Sequence, residues 1–182
     1  MLVAIMFVML LSLGIVSIIT ALASVVNKRS DVKVSGVHLS WLVLLLIAHF
    51  NMFWYTFDIL NVEDWGFMGF LYTIAGPILI FFASSILVPD GSVDDRSELK
   101  DYYLRISRQF FQIFAIVQLW ILGSDLVLHG GFVPASLLNL AVLVLAVVLS
   151  ISRAESVHRA GVVVAWLIFV VQLALRGFGV LS

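Results

Sequence analysis

The chain has 182 residues, of which 63% are hydrophobic and only 12% charged, with a formal net charge of −1 and no cysteine. A soluble domain is closer to half apolar and a quarter charged, so this chain lacks the polar residues to cover itself in water. The charge balance offers no basic face to a nucleic acid, and the lack of cysteine excludes disulfides, thiolate metal sites and cysteine nucleophiles.

Six apolar runs follow one another, each near the length a helix needs to cross the hydrocarbon of a bilayer. The first covers 2–26. Its start is uncharged and its apolar run is too long for a cleaved secretory signal, so a retained span is expected. The second covers 37–60, the third 66–88, the fourth 102–128, the fifth 132–151 and the sixth 160–180. Pro134 stands in the first turn of the fifth run, where a missing N–H does no harm. Pro77 stands inside the third and removes the bond to the carbonyl of Thr73, so a kink is expected there. Gly66, Gly69 and Gly76 on that run permit close helix approach. The fold class read from this pattern is all-α: one polytopic membrane domain over 1–182, with six transmembrane helices arranged as three hairpins.

The basic residues select an orientation. Lys28, Arg29 and Lys33 follow helix one. Arg96 and Lys100 follow helix three, with Arg105 and Arg108 just beyond. Arg153 and Arg159 separate helices five and six. The turns after helices two and four hold Glu63, Asp64 and His129 but no Lys or Arg. Positive charge stays on the cytoplasmic side, so the odd-numbered loops are expected inside and both termini outside. The sizeable loop, 89–101, is expected to include a short turn of helix running into helix four; it reads as a solvated connector, with a regulatory or partner-docking loop as the alternative. Gly36-Val37 before Trp41 and Gly161-Val162 before Trp166 form a short repeat, each opening a helix that returns from a basic turn.

Polar groups inside the runs are the candidate functional residues, because each is costly at membrane depth unless matched. Asp58, Asp125 and Arg176 each lie a few residues from the outer end of helices two, four and six. Stepping 100° per residue puts Gln118 on the face of Asp125 and Gln172 on the face of Arg176. With Asn51 they form a possible polar seam, serving either as interhelical glue or as a site for an ion or polar head group. His49, in the middle of helix two, is a possible proton or ligand site, with Tyr55 and Trp54 nearby. Trp54 and Trp120 lie deep enough to line an apolar cavity. His38, His129 and His158 fall at helix ends, so no paired-histidine haem is expected. No metal or other cofactor is expected either, since no second ligand stands at helical spacing from His49. Ser84 and Ser85 have no base near them in sequence. No phosphate-binding loop, nucleophile elbow or dinucleotide fingerprint occurs.

Three stretches carry a resemblance. They are Val37-His38-Leu39-Ser40-Trp41 continuing to Phe53-Trp54, Glu98 to Tyr103 continuing through Arg108-Gln109-Phe110-Phe111, and Arg153 to His158. With the Pro77 region and Leu87-Val88-Pro89-Asp90, they resemble a group of small bacterial multi-pass membrane proteins without an assigned activity. The resemblance implies a bacterial cytoplasmic membrane location and transfers no catalytic or binding residue. Three function classes remain. One is a non-enzymatic bundle that self-associates or joins a membrane complex. Another is a small transporter or channel with a polar path along helices two, four and six. The last is a lipid-binding protein or lipid-modifying enzyme. The bilayer is the expected partner in all three.

Overall fold

The structure is a computed structural model that describes residues 2–27, 35–60, 62, 64–88, 99–129, 131 and 134–177. Its elements among these are α1 (Leu2–Asn27), α2 (Gly36–Leu60), α3 (Phe67–Leu87), α4 (Leu99–His129), α5 (Pro134–Ile151) and α6 (Glu155–Gly177). Five of them, all but α5, are long and apolar enough to cross a membrane. The 18 residues of α5 reach about 27 Å at 1.5 Å per residue, just under the roughly 30 Å of a typical hydrocarbon core.

Two helices start earlier than the apolar runs imply. α4 opens at Leu99, not near 102, and α6 at Glu155, not near 160. The reason is local. Glu155 sits in the first turn of α6, where the helix dipole favours an acid. It accepts hydrogen bonds from Arg159 one turn later, with Nε at 3.1 Å. Charge ends the apolar run but does not end the helix. The third helix runs through Pro77 without a break. The greater part of the 89–101 loop, residues 89–98, lies outside the described residues, as do Lys28, Arg29, Lys33 and Glu63.

The chain divides into two compact units, residues 1–106 and 107–182. In the first, α1 packs on both α2 and α3, and α2 also meets α3. Phe7, Leu11, Gly14, Ile18 and Ala21 of α1 are buried at alternating spacings of four and three, which is one helical face. They meet a core that includes Leu42 and Leu45 of α2 and Ile80, Ala83 and Leu87 of α3. The opposite face of α1 is apolar as well, with Met9, Leu13 and Val16 exposed. A helix apolar on every side belongs in a greasy surround.

The second unit holds α4 from Ser107, α5 and α6. Its buried apolar residues include Phe110, Phe111, Phe114, Val117, Trp120 and Leu122 of α4, Ala146 and Leu149 of α5, and Val162 of α6. Helices α5 and α6 pack as a hairpin through the turn Ser152–Ala154. They touch closely at Gly161, where an added Cβ would lie 2.7 Å from Leu149 Cδ2. The two glycines of the sequence repeat therefore differ in role, because Gly36 has nothing within 4 Å of its Cβ position. Gly66 also faces open space, and Gly69 meets only Trp65 at 3.9 Å. Gly76 is buried within α3, and an added Cβ would meet neighbours closely at Gly14 and Gly161.

Candidate functional site

His49, like Ser84, is a polar side chain of the first unit with no exposed surface. The ring leans back along α2, as helical side chains do, and its Nδ1–H donates to the carbonyl of Leu45 at 2.8 Å. That bond leaves Nε2 as the acceptor in the neutral ring. Nε2 lies 3.3 Å from the hydroxyl of Ser84 on α3, which also donates to its own helix at Ile80 O over 2.9 Å. The single hydroxyl proton serves one or the other. From the third side α1 closes the site: a Cβ built on Gly14 would stand 2.2 Å from His49 Nε2. Three helices thus meet at one imidazole, and α1 fits there only because position 14 has no side chain.

A serine beside a histidine is the beginning of a nucleophile and base, but the surroundings lack the rest. Catalysis at such a pair needs room for substrate and donors aimed at a developing oxyanion. Ser84 and His49 are both fully buried, and a single extra carbon already collides with the ring. The arrangement suits a packing lock, with the polar atoms satisfied by helix carbonyls and by each other.

Two further histidines do a related job. The Nε2–H of His38, in the first turn of α2, donates to Leu87 O at 2.8 Å. Leu87 is the last residue of α3, where carbonyls lack a partner within the helix. The Tyr102 hydroxyl lies 3.1 Å from both Ile86 O and Val88 O, so it serves the same helix end. Tyr102 and Tyr103 flank the His38 ring at 5.8 and 6.0 Å between centroids. The Tyr103 hydroxyl lies beside the Trp41 indole. Arg105 extends over Tyr102, 5.7 Å from its centroid. In the second unit, His158 of α6 donates from Nε2 to Ser152 O at 3.2 Å, just past the end of α5. Its ring lies 5.7 Å from Phe111 of α4. In both places a first-turn histidine binds a carbonyl at or just past the C-terminal end of another helix, α3 for His38 and α5 for His158, with an α4 aromatic beside it.

The residues of the expected polar seam are distributed over both units. Asp125, near the end of α4, is buried, and its Oδ2 accepts a 2.7 Å bond from the hydroxyl of Ser136 in the first turn of α5. Gln118 is buried seven residues before it, and Gln172 is half-buried on α6. Asn51, Tyr55 and Asp58 are half-buried on α2. The Arg176 side chain lies outside the described residues. Asp58 and Asp125 belong to different units. Trp54 is 68% exposed and so lies away from His49, while Trp120 is buried.

Sequence reasoning missed Ser84, Gly14 and Ser136 as partners. A lone glycine in the middle of an all-apolar run was the signal available for Gly14.

Thr56 shares the face of His49, two turns further along α2. Its hydroxyl is buried with no hydrogen-bond partner among the described residues. An unsatisfied buried hydroxyl costs about 1–3 kcal/mol. Thr56→Val keeps the shape and removes that cost, so it is expected to raise stability by about 1 kcal/mol in a denaturant or thermal melt. A clear loss of stability would show instead that the hydroxyl holds a partner, such as a water.

Comparison with protein-family models, with curated proteins and with solved structures finds no match for this chain.

Proposed function

We propose that the chain is a non-enzymatic helical-bundle protein of a bacterial cytoplasmic membrane. It crosses six times with both ends outside, and it self-associates or serves as an accessory subunit of a membrane complex. The observation that carries this reading is how the polar groups of α2 are used. His38, His49 and Thr56 share one buried face of α2. Successive members are 11 and 7 residues apart, about 16 and 10 Å along the helix. Leu42, Leu45 and Met52 fill the intervals, all buried. Proton or ion transfer needs neighbouring groups within hydrogen-bond reach or a wet path between them. Here His38 bonds a carbonyl at the end of α3, and His49 bonds its own helix at Leu45 O while its other nitrogen faces Ser84 of α3. Large apolar side chains are meanwhile exposed on every helix, including Trp54, Phe67, Leu137 and Leu167. Lipid or a partner's helices would cover them.

The chain has no cysteine, so single introduced cysteines report topology without background. Asp64→Cys is expected to react with an impermeant maleimide in intact cells, and Ser156→Cys only after permeabilisation. Equal labelling of both sinks the orientation. For activity, purified protein in liposomes is expected to carry no proton or cation flux above protein-free vesicles. It is also expected to migrate as an oligomer, or with a stoichiometric partner when extracted mildly. Flux abolished by His49→Ala would favour the transporter reading instead.

A further inference from the structure

Charge is unevenly shared between the units. Residues 107–182 contain four arginines (108, 153, 159 and 176) and two acids, Asp125 and Glu155, whereas residues 1–106 carry more acids than bases. Within the second unit Glu155 is already engaged by Arg159, and Asp125 is buried against Ser136. Neither acid is free to neutralise Arg108 or Arg153, both exposed.

Arg108 begins a stripe on α4. Arg108, Gln112, Ile116 and Leu119 follow at spacings of four, four and three, which keeps them on one helix face. All four are exposed, Ile116 at 46% and Leu119 at 56%. The stripe therefore reads cation, amide, aliphatic, aliphatic along 11 residues, or about 16 Å. One leaflet of a bilayer has about that depth of hydrocarbon, half of roughly 30 Å. The packing of Phe111 on His158 sets this end of α4 beside the first turn of α6. Arg153, in the turn that leads into α6, stands at the same end of the unit.

From this pattern we infer that the α4 stripe, with Arg153, is a binding site for an anionic phospholipid. The phosphate sits between the guanidiniums of Arg108 and Arg153, Gln112 donates to its glycerol or ester oxygens, and an acyl chain lies along Ile116 and Leu119. Arginine suits this use because its planar fork binds phosphate oxygens in pairs. The assignment rests on the membrane reading above and adds the class of lipid to it.

Native mass spectrometry tests it on the full-length protein in micelles titrated with phosphatidylglycerol or phosphatidylcholine of the same chains. The wild type is expected to keep phosphatidylglycerol up to roughly 30-fold better, about fivefold for each of the two arginines at a membrane surface. R108Q and R153Q are each expected to reduce that preference and the double variant to abolish it, with helical content unchanged. R159Q, whose guanidinium is already spent on Glu155, is expected to keep it. Equal retention of both lipids by the wild type overturns the proposal. So does a preference that survives the double variant, or an equal loss in R159Q, which would mean general charge rather than a site. A changed oligomeric mass in R108Q without a change in lipid preference would make the stripe a protein interface and also overturn it. Carbonate extraction separates the two readings. Release of the protein into the aqueous phase sinks the membrane reading, whereas retention with no lipid preference sinks only the site.

Discussion

Gly14→Ala is expected to lower the stability of the purified protein by about 2–3 kcal/mol, and His49→Ala in the same chain to remove much of that loss. The added carbon would lie 2.2 Å from His49 Nε2 and 2.9 Å from Cδ2, well inside contact distance. The ring has little freedom to retreat. Its other nitrogen is bonded to Leu45 O at 2.8 Å, Ser84 stands 3.3 Å from Nε2, and none of its surface is exposed. Helix α1 must therefore lift from α2 and α3, loosening the contacts of Phe7, Leu11 and Ile18 along the same face. For a chain of this size 1 kcal/mol corresponds to about 2–4 °C in melting temperature, so a fall of roughly 5–10 °C is expected. His49→Ala alone leaves a cavity and is expected to cost about 2–4 kcal/mol. The double variant places a methyl group where the imidazole was, so the two losses do not add, and a coupling above about 1 kcal/mol is expected. A Gly14→Ala protein that melts with the wild type, or strictly additive losses, would falsify the three-helix contact.

The helices were legible in the sequence because each is a long apolar run, and length with hydropathy is a strong signal. Their ends were less so. Reading the break in hydrophobicity as the break in structure left Glu155 to Arg159 in a loop, although an acid in the first turn and its i,i+4 arginine favour helix there. His38 and His158 were placed correctly at helix ends. Their work was invisible, because each bonds a carbonyl outside its own helix, Ser152 O in the turn before α6 for His158 and Leu87 O, 49 residues away, for His38. Ser84 was set aside for want of a base near it in sequence, yet a base lies 35 residues away across the α2–α3 contact. Of the three glycines expected to permit close approach, Gly66 and Gly69 meet almost nothing and Gly76 is buried, while the tightest contacts seen fall at Gly14 and Gly161. Amino-acid type marked which residues are costly or permissive. Partnership depends on helix rotation and tilt, which one chain's periodicity leaves open.

The same polar economy connects the histidines to the proposed function. A membrane interior offers no water to an exposed carbonyl or imidazole, so each must find protein. His49 satisfies this in the middle of α2, and His38 and His158 do so at helix ends, where unpaired carbonyls gather. Using side chains in this way holds helices together while leaving the outward faces apolar. Any bundle in a membrane requires that arrangement; what supports the structural reading is that these histidines are occupied by protein partners.

His38→Ala is the second substitution expected to have a large effect, a loss of about 2–4 kcal/mol. Two causes combine. The carbonyl of Leu87 at the buried end of α3 loses its 2.8 Å donor, which costs about 1–3 kcal/mol where water cannot replace it. The space beneath Tyr102 and Tyr103 also empties, and their rings no longer have the imidazole as a neighbour. Tyr102→Phe removes only a hydroxyl 3.1 Å from two carbonyls, in a half-buried position, and is expected to cost about 1 kcal/mol. His38→Gln can present an amide N–H to Leu87 and should recover part of the histidine's contribution, whereas His38→Leu fills volume without donating and should recover less. The order of melting temperatures, wild type above Gln above Leu above Ala, is the specific expectation. If Leu matches the wild type, the bond to Leu87 contributes nothing and the site is packing alone. If Ala matches it, the end of α3 is held by other contacts. Hydrogen exchange offers a readout that volume does not move. The amide of Val88, which donates to Ser84 O at 2.9 Å, is expected to lose protection in the Ala and Leu variants and to keep it in Gln.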